Sequence, residues 1–194
     1  MPINLFSYAI SKHKIDLPDN YSEQIIEYGN NNIKDNGQTE ANLHHTDLFR
    51  PLAQAFIEAG HTHIKDLGFD PDNQFIITQM WLNCFIQDDF LRIHTHPNSI
   101  YSGVFYIGDN LDYGTEFLKP TIGNQLELKT RTINEYTADS VTIEPDKNLL
   151  VIFPSFLQHR AITNKQKENR YTISFNCLPK TFGEKSKLNY FEMP

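Results

Sequence analysis

Cysteine is scarce in this chain. Its 194 residues include only Cys84 and Cys177, too few for a disulfide framework, so both read as reduced thiols in the core of a cytoplasmic protein. No apolar run approaches the roughly 18 residues that a membrane-spanning helix needs, which argues against a membrane protein. Positive charge is in deficit: 17 Lys and Arg stand against 24 Asp and Glu, for a net charge of −7. That balance argues against a broad phosphate-binding surface and so against nucleic acid as a partner. The opening residues Met1 to Phe6 lack the basic segment and apolar core of a secretory signal. There is no internal repeat and no low-complexity tract. Hydrophobic residues make up 39% and charged residues 21%, so a globular chain of this length has one domain with a core of its own.

The chain changes character near residue 74. Before it, residues 3–10 (INLFSYAI) read as a first strand. Asp19, Asn20, Tyr21 and Ser22 then offer caps for a helix through Ile25, Ile26 and Tyr28, and residues 30–32 and 35–37 read as a polar loop. A stronger helix is expected over residues 46–67, where Leu48, Leu52, Phe56, Ala59 and Ile64 follow helical spacing, with Gly68, Pro71 and Asp72 ending it. Beyond it, residues 75–82, 102–107, 115–118, 141–144, 149–153 and 171–176 read as short strands separated by turn residues, the pattern of a sandwich or barrel. The expectation is a single α+β domain over 1–194, mainly β. Residues 1–73 supply a strand and supporting helices, 74–180 an antiparallel β core, and 181–194 a tail.

The chemistry concentrates in that core. His94 and His96 are two apart on an extended segment, so their side chains point the same way. His159, from a distant strand, can complete a three-ligand metal site, and Arg170 follows on the next strand, where its guanidinium can hold a carboxylate. In residues 170–176 the alternation is strict. Tyr171, Ile173 and Phe175 share one face; Arg170, Thr172, Ser174 and Asn176 share the other, which can line a ligand cavity in the mouth of a barrel. The chain has eight histidines, so on spacing alone a metal site and a coincidental pair both stand. His61 and His63 lie within or at the end of the expected helix, where residues two apart do not face together, and they read as surface, as do His13, His44 and His45.

Several segments together resemble the iron(II)- and 2-oxoglutarate-dependent oxygenases, closest to their prolyl-hydroxylase-like branch. They are residues 91–99 (LRIHTHPNS), 101–107 (YSGVFYI), 114–117 (GTEF), 153–159 (FPSFLQH) and 168–176 (ENRYTISFN). The resemblance spans residues 81–179, about half of the chain. It implies a double-stranded β-helix, a jelly-roll or cupin-like barrel, with the N-terminal helices packed against it. It further implies Fe(II), 2-oxoglutarate and O2 as cofactor and co-substrates, with ascorbate as a supporting reductant. The reaction implied is decarboxylation of 2-oxoglutarate to succinate coupled to hydroxylation of a C–H group.

Carried over by position, His94 and His159 match iron ligands. Arg170 matches the residue that pairs with the far carboxylate of 2-oxoglutarate, and Tyr106 a tyrosine that bonds the same group. Beside these matches, Thr172 shares the face of Arg170 and can assist, and Asn83 can reach the co-substrate. A strand-end turn is the alternative for Asn83. The departure is His96, where the family has an aspartate or glutamate. A third imidazole is a competent ligand, and Glu116 is the alternative ligand, or else a strand residue lining the cavity. Trp81 and Phe85 read as core or cavity wall, Pro154 as shaping the turn before His159, and Arg160 as pointing away from the metal. Two other functions compete: a cupin-like three-histidine hydrolase or isomerase, and a catalytically silent metal-binding barrel. The substrate, a small molecule or a protein side chain, is not legible, and a homodimer is one option for assembly. Residues 109–114 and 121–139 are expected to shape the substrate entrance.

Overall fold

A computed structural model of the chain describes residues 7–70, 72–108, 114–120, 129–134, 136–183 and 191–193. The expectations for residues 3–6, Pro71, residues 109–113, residues 121–128 and 135 of the 121–139 segment and residues 184–190 and 194 of the tail therefore lie outside the described residues. In chain order the elements are β1 (Ser11–Lys14), α1 (Tyr21–Asn32), a 3₁₀ turn (Leu43–His45), α2 (Arg50–Asp66), β2 (Phe75–Phe85), β3 (Tyr101–Ile107), β4 (Thr115–Leu118), β5 (Ser140–Ile143), β6 (Leu149–Pro154), β7 (His159–Ala161), β8 (Arg170–Pro179), β9 (Thr181–Phe182) and β10 (Phe191–Glu192). A five-stranded sheet runs β1-β6-β3-β8-β2, a three-stranded sheet runs β5-β4-β7, and β9 pairs with β10. Every strand pairing is antiparallel.

Two-residue alternation divides the core into two layers. On the outer face of the large sheet, Phe105, Ile107, Leu150, Ile152, Ile173 and Phe175 pack with Leu52, Phe56 and Ile64 of α2 and Ile25 of α1. On the inner face, Val104, Tyr106, Leu149, Val151 and Phe153 meet Phe117 of β4. Gly103 marks a close approach. A Cβ there would stand 2.2 Å from the Phe175 ring, so its absence lets that ring lie across β3 beneath Phe56.

Five local expectations change. The first strand lies at Ser11–Lys14, paired with β6, and residues 7–10 are not in a strand. Ser11–Lys14 lies opposite Leu149–Ile152, which pairs the edge of β6 with these four residues. Asn30, Asn31 and Asn32 belong to α1 and not to a loop. Asn31 and Asn32 donate back to the carbonyls of Glu27 and Tyr28, four residues earlier, and Asn30 accepts from the Tyr171 hydroxyl at 2.6 Å. That helix starts without a side-chain cap, behind Asn20 in the left-handed region at φ 61°. Helix α2 begins at Arg50 and not at residue 46, because Pro51 lacks an N–H and fits a first turn. His63 is not a surface residue: it is 2% exposed, edge-on to Tyr101 at 4.9 Å. His13, His44 and His61 are half-buried, and His61 accepts from the Phe75 N–H.

Phe56 is fully buried between Phe105 and Phe175, with ring centroids at 5.3 and 5.0 Å. Phe56→Ala is expected to lower unfolding stability by about 3–5 kcal/mol, the transfer and cavity cost of a buried aromatic. Urea titration checks it: the midpoint should drop with the slope unchanged.

Candidate metal centre

Chain folding brings the three histidines together. His94 and His159 form an isolated antiparallel bridge in which each backbone N–H donates to the other's carbonyl, at 3.0 and 3.1 Å. That bridge puts residues 65 positions apart side by side, their rings 4.3 Å apart. His96 enters from the same extended segment, held by its N–H to the Ser155 carbonyl at 2.9 Å. One ring nitrogen from each lies within 4.8 Å of the others, and among the described residues this is the only His, Cys, Asp and Glu cluster of that kind.

The ring tautomers are set from behind. Nδ1 of His94 donates to the Arg92 carbonyl and Nδ1 of His159 to the Leu157 carbonyl, both at 2.8 Å. Each ring therefore turns an unprotonated Nε2 forward, the arrangement that metal-ligating histidines share. His96 Nε2 stands 3.1 Å from His159 Nε2. Two imidazole nitrogens bound at about 2.0–2.1 Å to one ion are about 3 Å apart when adjacent in its coordination shell. The donor set and its spacing fit a divalent first-row transition metal. Burial, with His159 and His94 nearby, pulls the His96 pKa down to about 3. Burial likewise pulls His159 down to about 4, partly opposed by the Leu157 carbonyl. At neutral pH both rings are uncharged and ready to ligate.

The histidines stand in the wall of a cavity that Arg170, Tyr106, Thr172 and Asn83 also line. The Arg170 guanidinium lies 4.6 Å over the Phe85 ring and donates to the Ile162 carbonyl at 2.7 Å. Tyr106 hydroxyl and Thr115 Oγ1 are 2.8 Å apart, and burial pushes the Tyr106 pKa up to about 12, so it remains a neutral donor. Asn83 sits within β2 opposite Thr172 and not at a strand-end turn. Its Oδ1 accepts from Gln38 and Trp81, and its Nδ2 donates to Thr172 and Ser174. Glu116 is not brought to the histidines, nor does it line the cavity. Its β4 neighbours Thr115 and Phe117 face inward, while its own carboxylate is held by Arg160 at 2.5 Å and Ser140 at 2.7 Å.

A buried polar chain beneath the site has no counterpart in the sequence-based reading. Ser102 and Ser155 hydroxyls are 2.8 Å apart, Ser102 donates to Asn176, and Ser155 to Ser99. It fixes the backbone of Ser155, on which His96 hangs. The detectable signal was Ser102 at an inward position of a strand that otherwise turns apolar groups inward.

Residues 79–176, just over half of the chain, match the profile of a family described as "Putative 2OG-Fe(II) oxygenase". No curated protein matches the sequence. Among solved structures, the chain resembles a 2OG-Fe(II) oxygenase family oxidoreductase from Burkholderia pseudomallei, with 15% identity and a TM-score of 0.50 over 71% of this chain and 60% of that one. A Pseudomonas putida prolyl-4-hydroxylase matches at 14% identity and TM-score 0.54, over 88% and 87%. HygX from Streptomyces hygroscopicus, solved with nickel and 2-oxoglutarate, matches at 9% and 0.59, over 89% and 82%. At these identities the likeness is one of fold.

The lowered histidine pKa values give a pH dependence. In the unfolded chain these rings titrate near 6.5; folded, near 3 and 4. Between those limits the unfolded state binds more protons, so the stability of metal-free protein is full above about pH 6.5 and falls as pH drops toward 4. Denaturant midpoints at pH 8, 6 and 5 should decline, and less steeply in His96→Gln. Equal slopes would refute the burial of a neutral ring at position 96.

Proposed function

The chain belongs to this family of 2OG-Fe(II) oxygenases, and on that premise we propose that it is an Fe(II)- and 2-oxoglutarate-dependent dioxygenase whose metal is held by His94, His96 and His159. The observation that carries the reading is one cavity with three converging imidazoles and a buried arginine in its wall. We read the two facing sheets as the halves of a jelly-roll, the double-stranded β-helix, with residues 74–180 as catalytic core and the helices as its outer support. The free thiols Cys84 and Cys177 fit a cytoplasmic location. Among the described residues no helix is long and apolar enough to cross a membrane.

When bound, Fe(II) supplies the redox chemistry that couples O2 and 2-oxoglutarate to succinate, carbon dioxide and a hydroxylated C–H group. The chain's own residues bind and orient. Arg170 offers parallel N–H donors to the far carboxylate of 2-oxoglutarate, with Phe85 behind its guanidinium. Tyr106, kept protonated by burial, donates to the same carboxylate. Thr172 and Asn83, already bonded to one another, form the polar wall alongside. Phe153 and Phe117 pack on the His159 ring at 4.6 and 5.6 Å and keep water from that side. The substrate is a small molecule or a protein side chain. A three-histidine hydrolase would leave Arg170 without a task.

The direct test is succinate formation from 2-oxoglutarate with Fe(II), ascorbate and air, without a substrate. Slow turnover is expected, and its absence from fully iron-loaded protein would sink the reading. Arg170→Ala should raise the 2-oxoglutarate dissociation constant by roughly 30-fold or more, since truncating a buried charge pair costs about 2–5 kcal/mol. Calorimetry on zinc-loaded protein measures it, and unchanged affinity would favour the hydrolase. His96→Asp probes the departure from the family. The shorter side chain leaves a gap beside Trp81 and Phe153, whose rings lie 5.9 and 6.2 Å from that of His96, so iron affinity should fall. Tighter iron with more succinate would make His96 a replaceable ligand.

A further inference from the structure

Beside the metal cavity lies a second, wider and more open depression, and Trp81, His94 and His96 stand in the wall of both. Its described lining contains no Asp, Glu, Lys or Arg. Carboxamides stand there instead, on Gln38, Gln79, Asn98 and Asn176. Three of them have their orientation set, and Asn176 is held at both ends, its Oδ1 accepting from Ser102 and its Nδ2 donating to Gln79. Gln79 accepts from Asn176 Nδ2 at 2.7 Å through Oε1, so its NH2 is the end not engaged there, and Gln38 donates to Asn83 at 2.9 Å, so its Oε1 is the end not engaged there. Trp81 donates to the same Asn83 oxygen at 3.0 Å, so its indole is fixed beside His96.

Resting on the metal-centre reading above, we propose that this groove binds an uncharged saccharide and presents it to the metal cavity. A carboxamide puts a donor and an acceptor side by side, matching adjacent hydroxyls that each donate and accept. The indole face offers apolar area for the C–H face of a sugar ring. A groove without formal charge gives a charged ligand no counter-ion for the water it would lose. An extended peptide would dock most directly by adding to the free edge of β2, but the segment 37–42 already occupies its Met80–Cys84 half, the half that carries Trp81. Thr39 N–H donates to Leu82, Met80 N–H to Ala41 and Cys84 N–H to Gly37.

Trp81 is the single tryptophan of the chain, so with Zn(II) and 2-oxoglutarate held constant a change in its emission on adding a saccharide reports on the wall that the groove shares with the metal cavity. The full chain, loaded with Zn(II) and 2-oxoglutarate, is titrated with maltotriose, cellotriose, triacetylchitotriose, trigalacturonate and the capped peptide acetyl-Ala-Pro-Ala-amide. A saturable emission change is expected with at least one neutral trisaccharide, with trigalacturonate at least about tenfold weaker. Gln79→Ala should weaken that saccharide about 3- to 10-fold, the worth of one neutral hydrogen bond, and Asn98→Gly, which keeps the left-handed backbone at φ 59°, should do the same. The proposal falls if no neutral trisaccharide binds, if the peptide binds instead, or if trigalacturonate binds equally well. Calorimetric binding of 2-oxoglutarate in the same sample separates the two readings: binding without any saccharide response overturns this one alone, and no binding overturns the co-substrate assignment.

Discussion

The two-residue pleat of β8 is the constraint on which the rest depends. This strand lies between β3 and β2, so both its backbone edges are paired and both its faces are covered. Tyr171, Ile173, Phe175 and Cys177 hold the helices to the sheet, while Arg170, Thr172, Ser174 and Asn176 form a polar row on the inner side. A polar row inside a protein is tolerable only if its groups are bonded. Asn83 supplies Thr172 and Ser174, Ser102 supplies Asn176, and the Ile162 carbonyl takes an Arg170 N–H. The cavity exists because one strand cannot be apolar on both sides and still carry these groups.

That periodicity is also why much of the layout was legible beforehand. Strict alternation in residues 170–176 set out two faces, and the runs that became β2, β3, β4, β5, β6 and β8 were placed to within three residues at each end, because they pair over most of their length. The segments read wrongly were those where a distant partner decides. Asn30 joins a helix because the Tyr171 hydroxyl bonds it; His63 is buried because α2 lies over Tyr101. Residues 7–10 of the strand expected at 3–10 lie outside a strand, and β6 pairs with Ser11–Lys14. Neither a hydroxyl far along the chain nor the rotation of a helix on a sheet leaves a local signature.

The candidate site divides the same way. His94 and His96 shared a face by spacing, but their meeting with His159 rests on a bridge between backbone groups, which side-chain patterns do not encode. Glu116 had the right chemistry and the wrong parity: one residue along β4, Thr115 faces the cavity. With His96 in place of an acid, three neutral rings leave the full charge of a divalent ion to be balanced by its other ligands. On the proposed reading a dianionic co-substrate would do that, and the Arg170 guanidinium in the same cavity wall would draw the same molecule.

The segment over the edge of β2 has a further consequence, for how molecules of this protein meet. A sheet ending in unpaired N–H and C=O groups is a template on which a second copy can grow a strand. Here one edge is closed by residues 37–42 of the same chain. The other, β1, is four residues long and carries Lys12 and Lys14 on its exposed positions, with Lys14 bonded to Asp146. A short, lysine-bearing edge repels its own image. The large sheet is thereby shielded from stacking edge to edge into fibres, although its middle strands, LLVIF and YTISF, are of the composition that would otherwise polymerise.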